Sequence, residues 1–374
     1  MFRAFSCIAC LQFGDRRRTA AVAQFLNASN RNLGNKPMLH RRLIGLDDHE
    51  DVAPQLAALD FLGRMPVPLR QGFTAGLDAA ATAAGGRRIC FVKGNEWYAP
   101  FDALARADAA AGFPDMILTP FTRDVLSVSF QERLRAAGHA ADTPRAVHPA
   151  AADLIDPAGL FSVFAVIPWV FLIDLRKLGS RPMPCQWSDL LDPVYHDQIV
   201  FGGWKRPSDG TYPDCNDFLL LNLYHRFGSD GVRAFAGNTR AILHNTVAAR
   251  FAGTNSPQGG AISIVPWMQA DICPRRDRTA VIWPDDGAMT MPMGYSVASS
   301  QRTRVQPLLD FVCGDAYSAA LAHNRYPAIW ADGPQGLPDG ASLNWLGWDY
   351  TRTHDMTEET TTATNIFFAS WSRG

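Results

Sequence analysis

The stretch Phe161-Ser162-Val163-Phe164-Ala165-Val166-Ile167-Pro168-Trp169-Val170-Phe171-Leu172-Ile173 decides how this chain is read. Widened to Gly159–Leu175 it is the best candidate for a membrane span. It falls short of the ~18–20 uninterrupted apolar residues a span requires, and Ser162, Pro168 and Asp174 interrupt it. Density in Phe, Val and Ile favours extended backbone, so the run predicts one long strand, broken at Pro168.

Outward from it, the same texture recurs in shorter pieces. Arg88–Val92 reads as a strand, Phe101–Ala111 as an Ala-rich helix, and Asp115–Leu118 as a short buried strand opening into Thr119-Pro120-Phe121-Thr122. On the other side, Trp187–Leu191 is a short helix and Ile199–Phe201 a strand running into Gly202-Gly203-Trp204. A helix follows over 214–227, then strands at 261–265, 280–283 and 291–297, then helices at 305–312 and 316–323. Short buried strands alternating with helices predict an α/β fold with mostly parallel sheet. Before residue 60 the chain is polar and Arg-rich. Leu56, Leu59 and Leu62 there have helical spacing, which predicts a small helical N-terminal extension.

A length of 374 residues predicts two domains, or one with a large appendage. With 47% hydrophobic and 19% charged residues, the chain can bury a core and is not disordered. A net charge of -1 excludes the basic excess that phosphate contacts demand, so no nucleic-acid partner is expected, and no membrane insertion. Positive charge is nearly all arginine; the lysines are Lys36, Lys93, Lys177 and Lys205. Seven scattered cysteines do not form a disulfide framework, and Cys7-x-x-Cys10 lacks a second pair at zinc spacing. In Met1–Arg18 the basic cluster follows the apolar residues, the reverse of a secretory signal, so the expectation is a cytoplasmic protein, or a periplasmic one if the true start lies upstream. Asp47-Asp48-His49-Glu50-Asp51 reads as a solvated helix start more readily than as metal ligands.

No phosphate loop, dinucleotide fingerprint, His-Glu-x-x-His or Gly-x-Ser-x-Gly is present, and the histidines are dispersed. The expectation is therefore a protein without catalytic residues, cofactor or metal. What remains is a set of loops at strand C-termini, where open parallel sheets bind ligands. They offer Asn95 and Trp97, Phe121 and Thr122, Trp204, Trp267, and Asp285 and Asp286 as candidate ligand contacts. Asp214, at the start of a helix pointing into the same crevice, completes the set. Each tryptophan alone suits core packing equally well, and Asp-Gly pairs also serve turns. Trp204 and Trp267 follow strands expected side by side, which would bring both indoles to one cavity.

From about Pro114 to Tyr350 the sequence resembles ABC-transporter solute-binding proteins with the type II periplasmic-binding fold, in the branch of iron(III), thiamine and polyamine binders. The resemblance rests on Phe113-Pro114-Asp115-Met116-Ile117, the block Trp187-Ser188-Asp189-Leu190-Leu191-Asp192-Pro193-Val194-Tyr195, the strand at 261–265, and Trp283-Pro284-Asp285-Asp286-Gly287. Leu59–Arg70 and Trp345–Asp349 resemble an atypical subgroup with a helical N-terminal extension and no clear signal peptide. In that subgroup a cysteine often stands between the two prolines, where this chain has Val67. The resemblance implies two α/β lobes with a cleft between them: an extension over 1–64, lobe I from 65–168 and 287–374, and lobe II from 169–286. Run 161–173 would cross outward and 284–296 return, with ligand between lobes that close by a hinge. It implies a monomer that binds a small polar or charged solute, or an ion, and an ABC permease as partner. Iron(III) binders carry adjacent tyrosines after the strand matching 261–265; Trp267-Met268 stand there instead. A second reading is a cytoplasmic metal- or cofactor-delivery accessory protein on the same fold.

Overall fold

The computed structural model describes residues 56–83, 89–92, 99–107, 112–142, 144–203 and 215–371. Eleven strands run in chain order as β1 (Phe61–Arg64), β2 (Ile89–Val92), β3 (Met116–Pro120), β4 (His139–Ala140), β5 (Ser162–Asp174), β6 (Ile199–Gly202), β7 (Thr239–Leu243), β8 (Ile262–Pro266), β9 (Thr279–Ile282), β10 (Ala288–Ala298) and β11 (Leu343–Asn344). The α-helices are α1 (Arg70–Ala83), α2 (Ala99–Arg106), α3 (Arg123–Leu126), α4 (Val128–Ala136), α5 (Leu175–Leu178), α6 (Cys215–Asn238), α7 (Asn245–Phe251), α8 (Trp267–Asp271), α9 (Arg302–Val312), α10 (Asp315–His323), α11 (Trp348–Thr353) and α12 (Met356–Ser370). Expected extension residues 1–55 lie outside the described residues. Residues 61–64, expected to be helical, are instead β1, paired in parallel with β2 and β3. A strand buried on both faces reads as a continuous apolar run, which spacing cannot tell from a helix.

Strand order is β2-β1-β3-β10-β5-β8-β6-β7. The first lobe holds β2-β1-β3, parallel, closed by β10 antiparallel to β3. The second holds β8-β6-β7, also parallel, with Ile199 opposite Ile262, so the strands before Trp204 and Trp267 are neighbours as expected. β5 belongs to both lobes. Its first half pairs with β10 as far as Pro168, and from Trp169 it pairs with β8 and then β9. In the second lobe, Phe171 and Ile173 join the apolar layer under α6, while Val170 and Leu172 join the layer under α7 and α8. Both faces are covered, which explains why the run reads as apolar throughout.

The antiparallel β5–β10 pair is irregular where it must bend, with a register shift between Met293 and Gly294. A Cβ at Gly294 would collide with the Phe121 ring and stand 2.8 Å from the Ser162 carbonyl. Gly294→Ala should cost about 2 kcal/mol, the order seen on overpacking. An unchanged denaturation midpoint would show that the bulge yields freely.

His139 on β4 is buried, edge-on to Phe113 at 5.7 Å, with Nε2 2.9 Å from the Pro114 carbonyl. The carbonyl only accepts, so the proton sits on Nε2. Burial lowers its pKa from 6.5 to about 4, so the unfolded chain takes up the proton first. The histidine's contribution is complete above pH 6.5 and disappears as pH falls towards 4, about 3 kcal/mol in all. His139→Gln should flatten the stability–pH curve across that window, and an equal slope in both proteins would assign the acid sensitivity elsewhere.

The C-terminal segment crosses between lobes. Trp348 stacks on Phe161 (6.2 Å) and meets Phe121 edge-on (5.8 Å), and Arg352 pairs with Asp156, all in the first lobe. Further on, α12 packs along α6 and also touches α3. Phe367 meets Phe201 and Phe235, and the Trp371 indole donates to the Thr239 carbonyl (3.0 Å), all in the second lobe. Apolar spacing of Met356, Thr360, Ala363 and Phe367 on one face dictates that burial.

Candidate functional site

Between the lobes lies a cavity with about 330 Å³ of empty space, including its mouth. Phe121, Thr122, Arg123 and Leu126 line it from the first lobe, directly after β3. Asp217, Phe218 and Leu221, in the first turns of α6, line it from the second. Met291 of β10 lies along it, and Leu346 and Thr360 of the C-terminal segment complete it. The cavity therefore sits at the carboxyl end of a parallel strand, where the loop after β3 faces a helix start across the crossing strands.

The first-lobe wall stands on a buried charge cluster. Arg64, at the end of β1, is fully buried and forms a two-pronged pair with Asp124 at 2.9 and 3.0 Å. Its Nε donates to Thr119 Oγ1 and its Nη2 to Thr122 Oγ1, each at 2.5 Å, while the guanidinium lies 4.1 Å over Phe101. Thr122 in turn donates to Asp124. Its hydroxyl is thus occupied, and Asp124 is neutralised from below. Nearby Asp102 has its pKa raised, first by burial and then by Asp124.

Arg123 is different. It lines the cavity half-buried, and its Nε is shielded from solvent without a hydrogen-bond partner. Asp217 on the opposite wall is also half-buried. These are the two ionisable side chains of the lining among the described residues, and each lobe supplies one. Neither stood among the candidates from sequence, although Arg123 directly follows the marked Phe121-Thr122 and Asp217 comes three residues after the marked Asp214 in the sequence.

Phe121 and Thr122 are thus the expected residues that the structure brings to the cavity. Trp267 is buried elsewhere, edge-on to Trp283 at 5.3 Å, in the apolar layer under α7 and α8. Arg325 of the first lobe covers it, 5.1 Å from the ring and 3.2 Å from the Asp271 carboxylate. The indole's large apolar area favours that packing over solvent. Asp286 does not line the cavity; it pairs with Arg226 at 2.8 Å and accepts from the Trp187 backbone N–H at 3.2 Å. Its pKa is raised by burial, against the pull of Arg226. Asp285 is exposed, and its own N–H donates to the Cys185 carbonyl at 2.8 Å. Asn95, Trp97, Trp204 and Asp214 lie outside the described residues. Among the described residues no three His, Cys, Asp or Glu side chains are placed to hold a metal, and no helix is long and apolar enough to cross a membrane.

Solved structures share this architecture. The iron- and citrate-bound IdiA/FutA of Trichodesmium is 14% identical with a TM-score of 0.56, over 83% of this chain and 98% of that one. Apo ferric ion-binding protein A of Pasteurella haemolytica is 12% identical with a TM-score of 0.57, over 84% and 98%. Fructose-6-phosphate-bound AfuA of Actinobacillus pleuropneumoniae is 13% identical with a TM-score of 0.53, over 82% and 98%. At such identities the likeness concerns fold, and it establishes the two-lobed periplasmic-binding-protein architecture. No curated protein sequence matches the chain. The family profile described as bacterial extracellular solute-binding protein matches residues 111–354, well over half of the sequence. The chain belongs to that family of solute-binding proteins.

Proposed function

We propose that this chain captures a small polar or charged solute in the cavity between its lobes and presents it to an ABC-type permease, without transforming it. The observation that carries this reading is a cavity whose walls come from both lobes and from the strand that joins them. Ligand bound there bridges two bodies, and closing them on it is a hinge motion about β5 and β10. The moving units are residues 65–168 with 287–374, and 169–286, with two amendments: β1 moves with the first, and α12 rests on both.

Family membership speaks for a protein that works outside the cytoplasmic membrane, in preference to the cytoplasmic alternative, and we read it as a monomer there. Relatives of the fold hold iron with citrate, or a sugar phosphate. Bare ferric iron suits this chain poorly, because Trp267 and Met268 stand at the tyrosine positions and both are buried. The delivery-protein reading leaned on Cys7, Cys10 and Asp47–Asp51, which lie outside the described residues, and no observation favours it.

Native mass spectrometry of freshly purified protein should show a small organic adduct. Adding the released compound back to stripped protein should lower the radius of gyration in small-angle scattering. Absence of both the adduct and compaction with any solute pool would remove the reading.

A further inference from the structure

We infer that the solute is an organic oxyanion, a carboxylate or a phosphate ester, and that Arg123 takes its charged end; this rests on the solute-binding reading above. Arg123 opens α3, directly after β3, and its side chain lines the cavity half-buried. Its Nε is shut off from solvent and meets no acceptor. A buried N–H in that state carries a cost that a ligand oxygen would remove. Two nearby carboxylates do not supply that oxygen. Asp124 is gripped by both prongs of Arg64 and also accepts from Thr122. Asp102 feels the charges of Arg106, Arg123 and Arg64, yet forms no ion pair with Arg123 among the described residues, and its pKa is raised, first by burial and then by Asp124. With Nε open, the guanidinium can offer parallel N–H donors to two oxygens of one carboxylate or phosphate.

The body of the solute is organic because the charge stands among apolar side chains. Phe121 and Leu126 come from the same wall as Arg123, and Phe218, Leu221 and Met291 come from the elements opposite and along it. An inorganic ion would leave those surfaces against water, whereas a carbon body displaces the water and gains their burial. A cationic head at this wall would face Arg123 as a like charge. Arginine stays protonated throughout the working pH range, so its attraction follows the ionisation of the solute alone.

Arginine Nε–H resonances of the full chain test the assignment with four probes on a phenyl body: phenylacetate, phenyl phosphate, phenylacetamide and phenethylamine. The Arg123 signal is the one missing from Arg123→Lys. At least one of the two anions should shift it saturably and, by calorimetry, bind about tenfold or more tighter than neutral phenylacetamide, with no saturable shift from the amine. Whichever anion binds tighter separates a carboxylate from a phosphate ester. Acetate and inorganic phosphate, which lack the body, should bind more weakly than their aryl counterparts. Arg123→Gln should weaken the better anion about thirtyfold or more and leave phenylacetamide unaffected, while Arg123→Lys keeps part of the affinity. If Arg123→Gln melts early, Arg123→Met takes its place, and the wild-type titration decides in either case. No saturable shift with either aryl anion, an equal shift with phenylacetamide, or affinity unchanged in Arg123→Gln would overturn the assignment. Equal affinity for acetate and inorganic phosphate would overturn the organic body. A neutral or cationic native adduct would remove this inference and leave the solute-binding reading standing. If there is no adduct and no compaction, both fall.

Discussion

Replacing Arg64 with methionine should cost about 3–5 kcal/mol of folding stability, the order found when one member of a buried ion pair is removed. The cost comes from Asp124, not from lost attraction. Its carboxylate is 2% exposed and would keep only the Thr122 hydroxyl, with no cation to offset its burial. Arg64→Met/Asp124→Leu should recover most of the loss, because a well-packed apolar pair often equals a buried ionic one. Chemical denaturation of the three proteins measures both effects. A single variant within 1 kcal/mol of wild type would mean that water reaches Asp124. The same variant should disturb the cavity wall, since the Thr122 hydroxyl loses its Arg64 donor.

Asp156→Ala should be comparably damaging, about 3–5 kcal/mol, for a different reason. One carboxylate organises an entire turn: Oδ1 accepts from Ala158 N–H at 2.8 Å, and Oδ2 from Leu160 and Phe161 N–H at 2.9 Å. It also holds Arg352 of the C-terminal segment. Truncation leaves these donors without their acceptor at the entrance to β5, each at a cost of about 1–3 kcal/mol where burial is complete. Besides a lower denaturation midpoint, amide exchange should quicken over residues 348–356, whose first-lobe anchor has gone. Asp156→Asn keeps one good acceptor and should fall between. If exchange in that segment stays as in wild type, the Trp348 stack alone anchors it.

What sequence reading captured was backbone course, and what it missed was direction of side chains. The crossing strands, the strands at 89–92, 116–120, 199–202 and 262–266, and the adjacency of the last two were legible because apolar density and turn residues mark them locally. Strand 61–64 was misread, since four buried residues carry no period. Phe121 and Thr122 emerged as wall residues because they follow a strand. Trp267 also follows one, yet it turns into the opposite layer, a choice made by Trp283 and Arg325, far away in sequence. Arg64 looked like any surface arginine until β3 brought Thr119, Thr122 and Asp124 around it. Trp348, Phe367 and Trp371 carry no local signal of their role, because nothing in the nearby sequence says that the two ends of that segment bind different lobes.

β10, the strand between β3 and β5, is made late. Until residues 288–298 have been synthesised, the first lobe is a three-stranded fragment whose β3 edge has no neighbour, while the whole second lobe has already emerged. An open edge of buried, apolar strand invites pairing with other chains. Long-range closure of this kind is also slow, because loop entropy is lost before contacts repay it. Order of manufacture therefore sets a hazard: the nascent chain stays sticky from β3 onward until its last quarter appears. Chains truncated ahead of residue 288 should collect in aggregates, and a chaperone that holds unfolded segments should matter more to this protein's yield than any property of its finished cleft.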